Sequence, residues 1–481
     1  MDKQELMNQV EQYINSRRDD IVEDLKTLVR IPSISVEGEG SQPFGAECAR
    51  ALDKALSMAK ERGFYVNNRD NWYGTAWYGS EKNDNGFIGI FSHLDVVEAG
   101  DNWIYEPFEP IEKDGFLIGR GAGDNKSGAV IGMYAMQTVK ELNIPLKSSL
   151  MLYFGCNEEK GMKDIDRFNK EHLMPDYSMV PDLFFPVCYG EKGNLKLTLQ
   201  AKSGFETIVD FHGGSAENIV PDKAEAKLIY SSELYEEAVK AAETSKGIEI
   251  KKDGEHIVVT AKGKGGHSSM PAGTVDAIWV LASFLKELKG LGEKDCSICE
   301  VMADLTGDYE GKALGIDSSD EPSGNLVCAA VTAKMDGTLP EILFNIRYPV
   351  TDYRERIESA LLKVISGKDF VLKRAVNNDP LYLSEDDPYV QTLMKVYREV
   401  TGLDKSAYVI DGGTYARKLK RAVGYGGGNG AHASFLPQGH GRVHQPDEAR
   451  NIDGILEAIK IYVMSILEID RMIQDERKKN S

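Results

Sequence analysis

One stretch restricts what this chain can become more than any other: Gly86 to Gly128, GFIGIFSHLDVVEAGDNWIYEPFEPIEKDGFLIGRGAGDNKSG. Phe87, Ile88, Ile90 and Phe91 form a nearly continuous apolar run, the pattern of a strand covered on both faces, and Ser92-His93-Leu94-Asp95 follows at its carboxyl end. Side chains two apart on an extended segment share a face, so His93 and Asp95 can point the same way, which suits a metal-ligand histidine steadied by a carboxylate. The glycine-rich turn Gly119 to Gly128 then delivers Asp124 just ahead of a helical run through Met133, Met136, Val139 and Leu142. Open α/β sheets gather ligands at the carboxyl ends of their strands, where Asp124 would sit. Asp124 suits a helix cap equally well. The turn lacks both the phosphate-loop order and the dinucleotide glycine spacing.

A chain of 481 residues exceeds one ordinary core, so two or more domains are expected. A net charge of -19 argues against nucleic acid as the main partner. The six cysteines are dispersed, which fits a reducing compartment, and the lone Cys296-Ser-Ile-Cys299 pair reads as ordinary thiols. The amino terminus is charged from its second residue, with no secretory pattern, and the apolar run 461–467 is too short for a bilayer. A cytoplasmic location without membrane attachment is the expectation.

Leu6, Val10, Ile14, Ile21, Leu25 and Leu28 recur at helical spacing up to Pro32, and a second helical run covers 46–60. Leu150 to Phe154 reads as another buried strand, ending in Gly155-Cys156-Asn157-Glu158-Glu159. Adjacent acids at a strand end point to different sides, so one can bind a metal while its neighbour holds a water; a solvated acidic turn is the plainer reading. Asp182 lies among apolar residues, and a buried carboxylate needs a partner such as a cation.

From about Lys192 the texture changes to alternating strands: Leu195 to Ser203, then His256 to Lys262, the turn Gly263 to Pro271, and a helix over 275–288. A similar series follows in 325–334, 341–348 and 353–365. This predicts an α+β domain of two β-β-α units over 193–383, inserted into an α/β domain made of segments 1–192 and 384–481. The second segment offers a strand and tight turn into a helix at Val409 to Arg417, a glycine-rich loop at 424–430, the run Gly439 to Glu448, and a terminal helix over 453–473.

Taken together, SHLDVV, GRGAGDNKSG, GCNEEKG, the Pro-Asp before FFP, GEKGN, GGHSSMP, DGGTYAR and VHQPDE resemble, in order and spacing, the M20 family of metallopeptidases and, within it, bacterial dipeptidases of the PepV type. The resemblance covers almost the whole chain. It implies a zinc-peptidase-like α/β catalytic core interrupted by a lid domain, and a co-catalytic pair of Zn2+ ions, with Mn2+ or Co2+ as substitutes. It implies His93 and Asp182 on one metal, Glu159 and His444 on the other, and Asp124 bridging, with Asp95 orienting His93 and Glu158 as general base. In the lid it implies His267 as oxyanion stabiliser, Asn218 facing the site, and Arg347 pairing with a substrate carboxylate.

The activity implied is hydrolysis of dipeptides with a free amino terminus, including β-Ala-His or Xaa-His substrates. The alternative is an N-acyl-amino-acid or succinyl-diaminopimelate deacylase; a metal-stabilised protein without catalysis is more remote. An insertion with two units is long enough to replace a neighbour's lid, which points to a monomer, with a dimer as the other possibility. The chain departs from the pattern at Asn125, at Pro446-Asp447 and in Gly426 to Gly430, and His432 and His440 stand near His444, whose assignment rests on the motif.

Overall fold

The computed structural model describes residues 2–81 and 85–480. Its chain divides into two units, one of 1–189, 383–409 and 413–481 and the other of 190–382 and 410–412. No helix among the described residues is long and apolar enough to cross a membrane.

The first unit is built on a mixed sheet. The strand Phe87–His93 lies between Ser149–Gly155 and Tyr177–Val180, parallel to both, and Ala422–Tyr425 continues the parallel run beside Tyr177–Val180. Tyr73–Tyr78 and Tyr65–Arg69 add antiparallel strands beyond Ser149–Gly155. Every residue of Phe87–His93 and Ser149–Gly155 is buried, as expected for strands with helices on both faces. The helix Lys126–Glu141 presents Val130, Met133 and Ala135 to this core, packed together with Ile455, Ile459 and Tyr462 of the carboxyl-terminal helix Ile452–Asn480. That helix runs beyond the expected 453–473.

Gly155 ends its strand where no side chain fits, because a Cβ there would stand 2.0 Å from the Tyr415 hydroxyl oxygen. The expected helix after the turn at 411–414 is only a 3-10 turn, Tyr415–Lys418. Its start is capped by the Thr414 hydroxyl, which accepts the Ala416 N–H, but the chain must enter the strand Ala422–Tyr425 within a few residues, so no full helix can develop.

The second unit carries one eight-stranded antiparallel sheet. In Gly193–Ala201 the residues Leu195, Leu197 and Leu199 are buried while Lys196 and Thr198 are not, the alternation of a sheet with one covered face. The covered face packs against the helices Ser232–Ala242, Ala277–Leu285, Glu293–Leu305 and Arg354–Ile365. The two β-β-α series are thus joined into a single sheet, because Ile208–Gly213 pairs with Val327–Asp336 and Gly193–Ala201 pairs with Leu339–Tyr348. Cys296 and Cys299 fall within the helix Glu293–Leu305, with Cys299 buried in the core.

Candidate metal centre

The parallel strands of the first unit place the candidate residues at one end of the sheet. His93 is the last residue of its strand and is in register with Gly155, after which the chain turns through Asn157 to Glu158 and Glu159. Asp182 follows Tyr177–Val180, and Asp124 precedes the helix Lys126–Glu141. All three strand ends are carboxyl ends, the position where sheets of this kind bind ligands.

Asp124 stands between the two histidines. Its Oδ1 lies 3.0 Å from His93 Nε2 and its Oδ2 lies 3.1 Å from His444 Nε2. His444 Nε2 is also 3.2 Å from Glu159 Oε1, and His93 Nε2 is 3.5 Å from Asp182 Oδ2. Asp124 is therefore no helix cap: Asn125 occupies the cap position, and the Asp124 carboxylate faces the histidines. Donor atoms of His93, Asp124 and Glu159 lie within 4.8 Å of one another, as do those of His93, Glu158 and Asp182. Glu158 thus joins a potential ligand group as well as standing beside the others.

The electrostatics call for positive charge. Burial pushes the Glu158 carboxyl well above its ordinary value; His93 opposes the shift, while Asp182, Glu159 and Asp124 add to it. Asp182 is pushed up to about 7 by burial and the charge of Asp124. Hydrogen bonding to Asp124 and Glu159 raises His444 to about 11. Burial opposes a charge on His93, yet Asp182 and Asp124 outweigh it and raise this group too. Among the described residues, His93 Nε2 and Glu158 Oε1 are buried without an aligned hydrogen-bond partner. Buried polar atoms of this kind are costly unless something satisfies them. A set of imidazole and carboxylate donors around two such atoms fits divalent cations such as zinc, manganese or cobalt.

Asp95 sits differently from the expectation of a carboxylate that orients His93. The His93 Nδ1 is 2.9 Å from the Asp95 backbone carbonyl oxygen and 3.5 Å from its carboxylate. The carboxylate instead accepts the backbone N–H groups of Glu158 and Glu159, each at 3.1 Å. The HxD spacing puts both side chains on one face without specifying which oxygen meets the ring.

Three anchoring carboxylates were given no role from the sequence. Glu448 accepts from Arg120 and from the backbone of the turn that carries Asp124. Asp447 accepts the N–H groups of Ile104 and Tyr105 and pairs with His440 Nδ1 at 2.5 Å, which occupies His440 away from the cluster. Asp164 accepts the N–H groups of Cys156 and Asn157 and the hydroxyl of Tyr415. The only signal for Glu448 and Asp447 was the charge in GRGAGD and PDE, and Asp164 lies outside both. His432 is exposed.

In the second unit, His267 lies on the short strand Gly266–His267, directly paired with Ile219. Asn218 is next to it in space, since its carbonyl accepts the Ser268 N–H at 2.9 Å. Both residues are exposed, and the His267 Nδ1 is 2.7 Å from the Ser269 hydroxyl. Arg347 stands on Leu339–Tyr348 opposite Asn194 and Val327, half-buried, on the face of the sheet away from Phe344 and Ile346.

Comparison with known proteins adds to this geometry. Residues 89–468 match the model of a family described as "Peptidase family M20/M25/M40". Over 472 residues the chain is 31% identical to "Putative dipeptidase YtjP" of Bacillus subtilis (strain 168), covering 94% of this chain and 98% of that protein. It is 30% identical over 477 residues to "Beta-Ala-Xaa dipeptidase" of Lactobacillus delbrueckii subsp. lactis, with coverage of 95% and 97%. A crystal structure of an M20 family metallo-carboxypeptidase, Sso-CP2 from Sulfolobus solfataricus, superposes with a TM-score of 0.56 at 17% identity, covering 98% of this chain and all of that one, a likeness of fold.

Proposed function

Because the chain belongs to peptidase family M20/M25/M40, we propose that this metallopeptidase is a dipeptidase working with two zinc ions on peptides that carry a free amino terminus and a free carboxylate. The observation that carries the reading is Asp124, whose two oxygens face His93 and His444. In this reading His93, Asp182, Glu159, His444 and Asp124 would hold the ions, His93 with Asp182 and Glu159 with His444; manganese or cobalt could substitute. Bound divalent ions supply Lewis acidity, polarising the scissile carbonyl and lowering the pKa of water. Glu158 takes the proton of the attacking water and passes it to the leaving nitrogen, a task for which its place beside His93 and Asp182 suits it. Asp95 fixes the backbone from which Glu158 and Glu159 project.

We extend the proposal to the second unit on the strength of the resemblance: His267 stabilises the oxyanion of the tetrahedral state, Asn218 assists it, and Arg347 binds the substrate carboxylate through its forked donors. The name of the Lactobacillus relative supports including β-Ala-Xaa peptides among the substrates. We propose further that residues 193–383 act as a lid on a monomeric, cytoplasmic enzyme. The test is hydrolysis by zinc-loaded protein of Ala-Ala and β-Ala-His set against N-acetyl amino acids. Turnover of the dipeptides alone supports the reading, and turnover of the N-acyl compounds alone replaces it with a deacylase.

A further inference from the structure

The segments carrying Asp124 and His444 are remote in sequence, yet one carboxylate that belongs to neither side chain ties them together. Glu448 lies one helical turn's length of chain beyond His444 and is 1% exposed. Its Oε1 accepts the N–H groups of Gly123 at 2.7 Å and of Asp124 itself at 2.9 Å. Its Oε2 accepts the Gly121 N–H at 3.2 Å and the Arg120 guanidinium at 2.7 Å. The Glu448 backbone carbonyl accepts the Gly119 N–H at 2.8 Å, and Arg450 donates to the Gly123 carbonyl.

These contacts close a ring. The backbone of Asp124 is fixed to the Glu448 side chain, the chain runs back from Glu448 to His444, and His444 Nε2 returns to the Asp124 carboxylate at 3.1 Å. A carboxylate held by three backbone donors and a buried guanidinium has no rotational freedom to spare. Glu448 thereby fixes the backbone of Asp124 relative to the segment that carries His444. Metal sites tolerate about 0.5 Å of misplacement, and losing an outer partner of a ligand typically costs about 10- to 100-fold in metal affinity or activity.

We infer that Glu448 is a positioning residue that sets the spacing between Asp124 and His444 and thereby the affinity of the His444-side metal position. The inference rests on the two-ion reading given above. A purely structural role for Glu448 predicts lower thermal stability with unchanged ion binding in the folded protein, so ion binding separates the two.

The experiment titrates chelator-stripped, full-length protein with Co2+, following stoichiometry by calorimetry and ligand geometry by the visible absorption spectrum, with circular dichroism as a check of folding. Wild type is expected to take up two ions. Glu448→Gln is expected to bind the first as wild type does, and the second about 10- to 100-fold more weakly, with an altered spectrum. Two ions bound by folded Glu448→Gln with wild-type affinities and spectrum overturn the inference. Should Glu448→Gln not fold, Gly123→Ala decides: its Cβ would meet Glu448 Oε1 at 3.0 Å and Val443 Cγ1 at 3.1 Å, displacing the carboxylate without removing charge. Selective weakening of the second ion in that variant upholds the inference, and unchanged binding of both overturns it. A wild type that binds fewer than two ions instead overturns the two-ion reading beneath it.

Discussion

Asp95 holds Glu158 by the backbone: its Oδ1 accepts the Glu158 N–H at 3.1 Å while its Oδ2 accepts that of Glu159 at the same distance. One buried carboxylate thus orients the turn from which the proposed base and a proposed ligand both emerge. Asp95→Asn retains an acceptor for one N–H and turns an NH2 group on the other. It is expected to lower kcat or metal affinity by about 10- to 100-fold, and Asp95→Ala, which leaves both donors unpaired, to lower the melting temperature as well. Steady-state kinetics, metal analysis and thermal melts on both variants check this. Wild-type behaviour of both variants would mean that the paired N–H contacts are unimportant.

Glu158→Gln removes the proton acceptor while keeping the shape of the side chain. The variant is expected to retain its bound metal ions and lose about 10²- to 10⁴-fold in kcat, the usual contribution of a positioned acid or base. Unchanged turnover with metals in place would assign proton transfer to another group.

Stripping the protein with a chelator should abolish activity and lower the melting temperature, with zinc restoring both. An ion present at about 100 times its dissociation constant stabilises the folded state by about 2.7 kcal/mol. Burial, and after it the charge of the neighbouring acids, raises the Glu158 and Asp182 carboxyls, and a bound cation would offset both. Differential scanning calorimetry of stripped and reloaded protein tests it; identical melts would argue that no ion is bound in the folded state.

Arg347→Met is expected to raise KM for dipeptides by about 10- to 100-fold, as the loss of a hydrogen-bonded charge pair implies, with a smaller effect on kcat. An unchanged KM would take Arg347 out of substrate binding.

Asp276, in the second unit, supplies a pH dependence of its own. It caps the helix Ala277–Leu285 through the Ile278 N–H at 2.8 Å, and burial pushes its carboxyl up to about 7. Because the folded protein binds this proton more tightly than the unfolded chain, the stabilisation is fully present below about pH 4, the unfolded value, and is lost as pH rises through 7. Asp276→Asn keeps the capping oxygen without the ionisation. Its melting temperature relative to wild type should therefore rise between pH 5 and pH 8, in contrast to a constant difference if Asp276 did not titrate in this range.

The elements of the core were legible where a short motif carried all the information. His93 at the end of an apolar strand and Asp124 ahead of an amphipathic helix are local patterns, and the structure brings both to one end of the sheet. Family resemblance, rather than spacing, selected His444 over His440, and the reason emerges only in three dimensions, where Asp447 occupies His440. Glu448 was hidden for the same cause: its partners Arg120, Gly121 and Gly123 are distant in the chain, and no periodicity encodes such a pairing. In the second unit the repeated β-β-α texture was visible, whereas the joining of both series into one sheet depends on the non-local pairings of Ile208–Gly213 with Val327–Asp336 and of Gly193–Ala201 with Leu339–Tyr348.

The order in which the segments occur has a consequence for biosynthesis. All eight strands of the second unit's sheet precede Leu383, so that sheet is complete as chain while the ribosome has yet to make Ala422–Tyr425, His444 and the helix Ile452–Asn480. Until these are translated, the nascent first unit lacks both a central strand and the helix that packs on Lys126–Glu141, and Asp124 and Glu159 lack their contacts with His444. The proposed metal site can therefore be completed only late in the life of the polypeptide, after the strands of the second unit's sheet have been made.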